Sequence, residues 1–184
     1  MFFGKETVLP AARTAKEFDG LLKKEGTHIV LLNTHIAQLK SMVQLAKSEN
    51  KKVILHADLV QGLAHDEYAA QFLCQHIKPY GLISTRIQML ITAKKHKVLA
   101  MQRLFLLDSL ALDTSFRLID DVKPDIIEVL PGVIPGMITE VLERSGIPVV
   151  AGGLIRSPEE VNNALQAGAT AVTTNRKELW NPDL

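Results

Sequence analysis

Short runs of aliphatic and β-branched residues recur along this chain, and between them apolar residues return at every third or fourth position. The runs are TVLPAA (7–12), HIVLLN (28–33), KVILHAD (52–58), GLIST (81–85), KVLAMQR (97–103), DIIEVLP (125–131), PVVAGG (148–153) and AVTT (171–174). Their length and branching predict strands. Several hold apolar residues at consecutive positions, as strands covered on both faces do, so the sheet is expected to be parallel. The intervening stretches read as amphipathic helices, for example Ile36, Leu39, Met42, Val43 and Ala46, or Val161, Ala164 and Leu165.

Eight strand and helix pairs without a linker or low-complexity break predict a small TIM-type (β/α)8 barrel occupying residues 1–184 as one domain. With 184 residues the chain is short for that fold, so helices and loops must be minimal. An open doubly wound sheet would begin with a glycine-rich phosphate turn after its first strand. Here the first strand runs into AART, and the glycines come late.

Polar residues gather where the strands end. The stretch VVAGGLIRSPEEVNNALQAGATAVTTN (149–175) closes one strand on Gly152 and Gly153 and the next on Thr173, Thr174 and Asn175. In a barrel, the loops after strands seven and eight are a frequent phosphate site. Glycine lets backbone amides approach an anion, and threonine and asparagine add donors. A glycine pair alone also suits a plain tight turn. Ser157, Pro158 and Glu160 read as the capped start of a helix that stops at Gly168. Asn175 and Glu178 have the spacing of a second capping box, which would aim the amides of Arg176 and Lys177 at the mouth.

The other strand ends supply Arg13, Asn33, His56, Asp58, Ser84, Thr85, Gln102, Arg103 and Glu128. Arg103 suits oxygens of a phosphate or its neighbours because its planar fork holds two at once. Asp58 and Glu128 could bind polyol hydroxyls or act as acid and base. His56 and Asp58 share a strand face but lack a third ligand, so neither a metal nor another cofactor is expected. No lysine falls at a strand end, which disfavours a Schiff-base aldolase. Lys51, Lys52, Lys94, Lys95 and Lys97 precede strands instead, on the opposite face. They either offset helix dipoles or contact RNA phosphates.

Composition narrows the classes further. A net charge of +1 offers no global field for nucleic acid, so any such contact must be local. The one cysteine, Cys74, points to a reducing compartment, and a cytoplasmic location is expected. No run approaches the ~18 apolar residues of a membrane span.

The strings HADLVQGLAHD (56–66), GLISTR (81–86), QRLFLLDS (102–109), DIIEVLPG (125–132), AGGLI (151–155) and GATAVTTN (168–175), followed by LW (179–180), together resemble the glycerol uptake operon antiterminator family. The last strand departs from the usual serines with Thr173, Thr174 and Asn175, which remain donors. The resemblance implies a non-enzymatic regulator that binds glycerol 3-phosphate, acts on leader mRNA and promotes antitermination of glycerol-utilisation genes. On that basis Gly152, Gly153, Thr173, Thr174 and Asn175 are expected to hold phosphate, and Asp58, Arg103 and Glu128 the glycerol end. A homo-oligomer would duplicate the RNA surface. The competing reading is a phosphosugar or phosphopolyol isomerase or lyase, because barrels host both.

Overall fold

The computed structural model describes residues 2–180 and closes eight parallel strands into a barrel in sequence order. The strands are β1 (Val8–Ala12), β2 (His28–Leu31), β3 (Lys52–His56), β4 (Gly81–Ser84), β5 (Leu99–Phe105), β6 (Ile126–Leu130), β7 (Val149–Gly152) and β8 (Ala171–Thr174). The helices between them are α1 (Ala15–Leu22), α2 (Ile36–Ser48), α3 (Glu67–Phe72), α4 (Ile87–Lys95), α5 (Ser109–Val122), α6 (Pro135–Ser145) and α7 (Pro158–Gln166). All eight expected strands are present, with ends shifted by one or two residues in most. The third run stops at His56, and Asp58 lies in a 3-10 turn (Ala57–Leu59) rather than on the strand. β5 runs on to Phe105, two residues beyond Arg103.

Short chain length is accommodated by short helices. α3 passes directly into a π-helical turn (Leu73–Ile77), and among the described residues β8 is followed by a 3-10 turn (Lys177–Leu179). That turn has no side-chain cap, so the capping box expected from Asn175 and Glu178 does not form. The Arg176 amide instead donates to Thr174 Oγ1 at 3.1 Å, and Trp180 Nε1 anchors on the Thr174 carbonyl at 2.9 Å. The helix at 158 starts as the sequence predicts: Ser157 accepts from the Glu160 amide, and the chain leaves through Gly168 in a left-handed conformation. Thr14 and Glu17 repeat the same arrangement at the start of α1.

Inside the barrel the strands contribute one apolar layer: Leu9, Ala11, Val30, Ile54, Ile83, Met101, Ile126, Val150 and Ala171. Phe3 packs beneath it and sets its ring edge-on to His28 at 5.3 Å. Burial of each large side chain in this layer contributes about 1.5–3 kcal/mol. Outward-facing residues of the same strands pack under the helices in two clusters, one beneath α1–α4 and one beneath α5–α7.

The tightest backbone approach lies between the β6 and β7 ends, where the Gly132 amide donates to the Gly152 carbonyl at 2.6 Å. A Cβ on Gly132 would stand 2.7 Å from the Gly152 nitrogen, and backbone cannot swing aside as a side chain does. Gly132→Ala is expected to cost at least about 2 kcal/mol in urea unfolding. Gly136→Ala, in α6 with open space around the new methyl, should raise stability by about 0.5 kcal/mol.

Candidate functional site

Side chains alternate along a strand with period two, so the residue two beyond each apolar interior position faces the mouth. Counting on from Ala11, Val30, Ile54, Ile83, Met101, Ile126, Val150 and Ala171 gives Arg13, Leu32, His56, Thr85, Arg103, Glu128, Gly152 and Thr173. The polar gathering at the strand ends therefore lies on the mouth side of the core, interrupted by Leu32 and Gly152. Arg103 and Glu128 are register partners, as are Gly152 and Thr173.

Glu128 is wholly buried, and a carboxylate there requires partners. Arg103 Nε donates to Glu128 Oε2 at 2.7 Å, and Thr173 Oγ1 donates to Oε1 at 2.6 Å. Arg103 is thus held through Nε, with its two terminal nitrogens left over. Gly152 belongs to this arrangement by its missing side chain: a Cβ would lie 2.6 Å from Thr173 Oγ1 and 2.9 Å from Glu128 Oε1.

Above this network a cavity of about 230 Å³ opens, lined by Arg13, Arg103, Glu128, Gly153, Leu154, Ile155, Thr173, Thr174 and Asn175 with apolar neighbours that include Leu32 and Leu130. Gly153 and Leu154 both have positive φ, 76° and 62°. Leucine in that conformation costs about 1 kcal/mol, so the loop is held there by its surroundings. The amides of Gly153, Leu154, Ile155 and Asn175 donate to no acceptor among the described residues. Arg13 is exposed, and its guanidinium forms no ion pair among them. A larger groove of about 480 Å³ lies between α5 and α6, but its charges are mutually satisfied, Arg144 pairing with Asp113 and Glu140.

A model of the glycerol-3-phosphate responsive antiterminator family matches residues 8–180. The chain belongs to that family. It is similar to the glycerol uptake operon antiterminator regulatory protein of Listeria monocytogenes str. 4b F2365, with 48% identity, a TM-score of 0.95, and coverage of 97% of this chain and 96% of that one. It also resembles a glycerol uptake operon antiterminator-related protein of Thermotoga maritima, at 27% identity and a TM-score of 0.83, covering 95% and 98%. An uncharacterized Escherichia coli K12 protein, YgcP, is 30% identical over 94% of this chain and 91% of its own length. Deoxyribose phosphate aldolase of Aeropyrum pernix, at 17% identity and a TM-score of 0.71 over 92% and 85%, shares the fold alone.

The antiterminator-family chain brings together Gly153, Thr173, Thr174, Asn175, Arg103 and Glu128 from the residues named by sequence. Asp58 stands outside the cavity lining. Its carboxylate takes the Ser84 hydroxyl and, at 2.8 and 2.9 Å, the amide and hydroxyl of Thr85. Burial alone would raise its pKa; these hydrogen bonds outweigh burial and hold it below the ordinary value. Gly152 also stands outside the lining. The cavity lining also includes Arg13, a strand-end residue to which the sequence gives no particular role, and Leu154 and Ile155, which carry no sequence signal. The Arg13-Thr14-x-x-Glu17 and Arg156-Ser157-x-x-Glu160 parallel was the available signal for Arg13: in both, the glutamate accepts the arginine amide and fixes a rim arginine.

Of the lysines considered for RNA, Lys51 is tied to the carbonyls of Lys24 and Gly26, and Lys94 to the Lys123 carbonyl and Asp125. Lys52 sits over the Tyr80 ring at 4.8 Å. Lys95 and Lys97 are exposed. Among the described residues no three His, Cys, Asp or Glu side chains converge as a metal site, and no helix is long and apolar enough to cross a membrane.

Truncating Glu128 removes the counter-charge of an Arg103 side chain only 15% exposed. Glu128→Leu is expected to lower unfolding free energy by about 3–5 kcal/mol, read by urea titration. His56 lies buried in the same layer with both ring nitrogens unpartnered. Burial, then the nearby Arg103 charge, pushes its pKa down to about 4 from 6.5, against the opposing pull of Glu128 and Asp58. Between these values the unfolded chain binds a proton that the fold does not, so stability falls as pH drops through that window. The full loss is about 3 kcal/mol. Urea midpoints at about pH 5 and about pH 7.5 should differ more for the native chain than for His56→Gln.

Proposed function

We propose that this chain is a glycerol-3-phosphate sensor that binds leader RNA and promotes antitermination of glycerol-utilisation genes, and that it is not an enzyme. The regulatory family supplies the class; the cavity supplies the ligand chemistry. The observation that carries the reading is the unsatisfied donor set on one side of the mouth. The amides of Gly153, Leu154, Ile155 and Asn175, with Thr174 Oγ1–H and Arg13 from the neighbouring β1, offer an anion both hydrogen bonds and charge. Arg103 stands across from them with its terminal nitrogens unused by Glu128, suited to hydroxyl oxygens on the uncharged end. A small phosphorylated polyol fits this division.

Binding acts on RNA only if the liganded conformation favours RNA by a differential affinity, since a ligand indifferent to the two states shifts nothing. The isomerase or lyase reading rests on His56, the member of the mouth layer with unpartnered nitrogens. No lysine lines the cavity, and the oxygens of Glu128 and Asp58 are engaged by neighbouring donors.

Calorimetry should detect glycerol 3-phosphate binding and none for glycerol. Arg13→Gln should weaken that binding about 10- to 100-fold, the worth of one charge-assisted contact. Titrating the untranslated leader of a glycerol-utilisation transcript with and without glycerol 3-phosphate should show tighter binding with it; equal affinities refute ligand gating. Turnover of triose or pentose phosphates, lost in His56→Gln, would establish the enzyme reading instead.

A further inference from the structure

A net charge of +1 conceals an uneven distribution. Residues 68–107 contain no aspartate or glutamate and six lysines or arginines; the rest of the chain carries fifteen basic and all twenty acidic residues. This acid-free segment is one contiguous quarter of the barrel, from the second residue of α3, just past the exposed Asp66 and Glu67, through β4 and α4 to β5. Two of its cations are committed, Arg103 to Glu128 and Lys94 to Asp125. Lys78, Arg86, Lys95 and Lys97 are exposed and form no ion pair among the described residues, and His76 and His96 are exposed beside them. Gln75 Nε2 meets His96 Nε2 at 3.5 Å, which brings the end of α3, with Lys78, against the end of α4, with Lys95 and Lys97.

What separates this face from an ordinary soluble surface is its unbalanced charge. Lys78 and Lys97 take left-handed conformations, φ 56° and 58°, as Lys123 does after α5 at φ 47°, at turns where Gly146 and Gly168 serve the same purpose after α6 and α7. Each lysine costs about 1 kcal/mol relative to glycine there. The turn at Lys78 is also pinned, because Lys47 Nζ donates to its carbonyl at 2.7 Å. Helix dipoles favour lysine near a C-terminus. They do not account for forty consecutive residues, 68–107, without an aspartate or glutamate. Tyr68, 72% exposed, is the second residue of α3, and Arg86 precedes α4.

We propose that the outer face of α3 and α4 is the RNA-contacting surface, with Lys78, Lys95 and Lys97 engaging backbone phosphates at one end and Arg86 and Tyr68 at the end nearest the mouth. This rests on the RNA-binding reading above and gives it a location, replacing Lys51, Lys52 and Lys94 with Lys78 and Arg86. α4 is about 14 Å long, so the strip spans several nucleotides. Lysines supply sequence-independent contacts, and an exposed tyrosine supplies a stacking face for a base. β5 joins the two functions, since it follows the Lys95–Lys97 turn and carries Arg103 to the cavity.

The test is the triple variant K78N/K95Q/K97N, in which asparagine tolerates the left-handed turns and so preserves the fold. The probe is a fluorescein-labelled RNA hairpin of about 30 nucleotides with single-stranded flanks. Binding is followed by anisotropy between about 50 and about 200 mM salt, with glycerol 3-phosphate present. The variant should bind at least about tenfold more weakly, with a salt slope shallower by roughly two, while glycerol 3-phosphate affinity stays unchanged. Tyr68→Ala should weaken binding at an unchanged slope. The control K16Q/K40Q/R117Q removes the same charge elsewhere and should bind as the native chain does. An unchanged K78N/K95Q/K97N variant, or an equal loss in the control, overturns the α3–α4 surface and leaves the regulator reading standing. No RNA binding by the native chain overturns both, and calorimetry then tests the effector reading alone.

Discussion

Glu128 sits in the barrel with no exposure to water, and its two oxygens there are occupied by Arg103 Nε and Thr173 Oγ1. That arrangement propagates outward. Arg103 is fixed in orientation by the oxygen it serves, and Gly152 cannot carry a side chain because the same oxygen and hydroxyl fill the space. Gly132 must then lie close against the β7 end. Four strands and the following loops are thus positioned around one buried charge. Breaking such a pair is far costlier than never having built it, which gives the mouth a defined shape rather than a set of alternatives.

The core and the site are successive layers of one alternating pattern. An apolar ring fills the barrel, and one pleat further on the same strands present arginine, histidine, threonine and glutamate. Acids at the rim cap helices or hold backbone amides, as Glu17, Asp66, Asp108 and Glu160 do. Glu17, occupied by the Arg13 amide and by Lys177, forms no ion pair with the Arg13 guanidinium, whose charge is available to an anion.

Most of the architecture was legible because strand burial writes itself as consecutive aliphatic residues, and all eight runs fold as strands. The site was legible in part. Gly153, Thr174 and Asn175 fall at strand ends by spacing alone, whereas Gly152 lines no cavity because its absent side chain serves Glu128. Asp58 looked like a strand residue beside His56; a 3-10 turn redirects it to Ser84 and Thr85, and nothing in local periodicity encodes that bend. Asn175 and Glu178 had capping-box spacing, but Trp180 and Thr174 hold the C-terminal turn by contacts that spacing does not register. Lys51 and Lys94 read as surface charge until the carbonyls they bind are seen.

Buried apolar side chains, Phe3 among them, fill the barrel interior, so no path leads from the cavity through the barrel. A small molecule must leave by the route it entered. Anything resting across the rim slows arrival and departure by the same factor, which lengthens the residence time of an occupant without changing its equilibrium affinity. A partner at the mouth can therefore convert a transient occupancy into a lasting one with no new contact to the occupant at all.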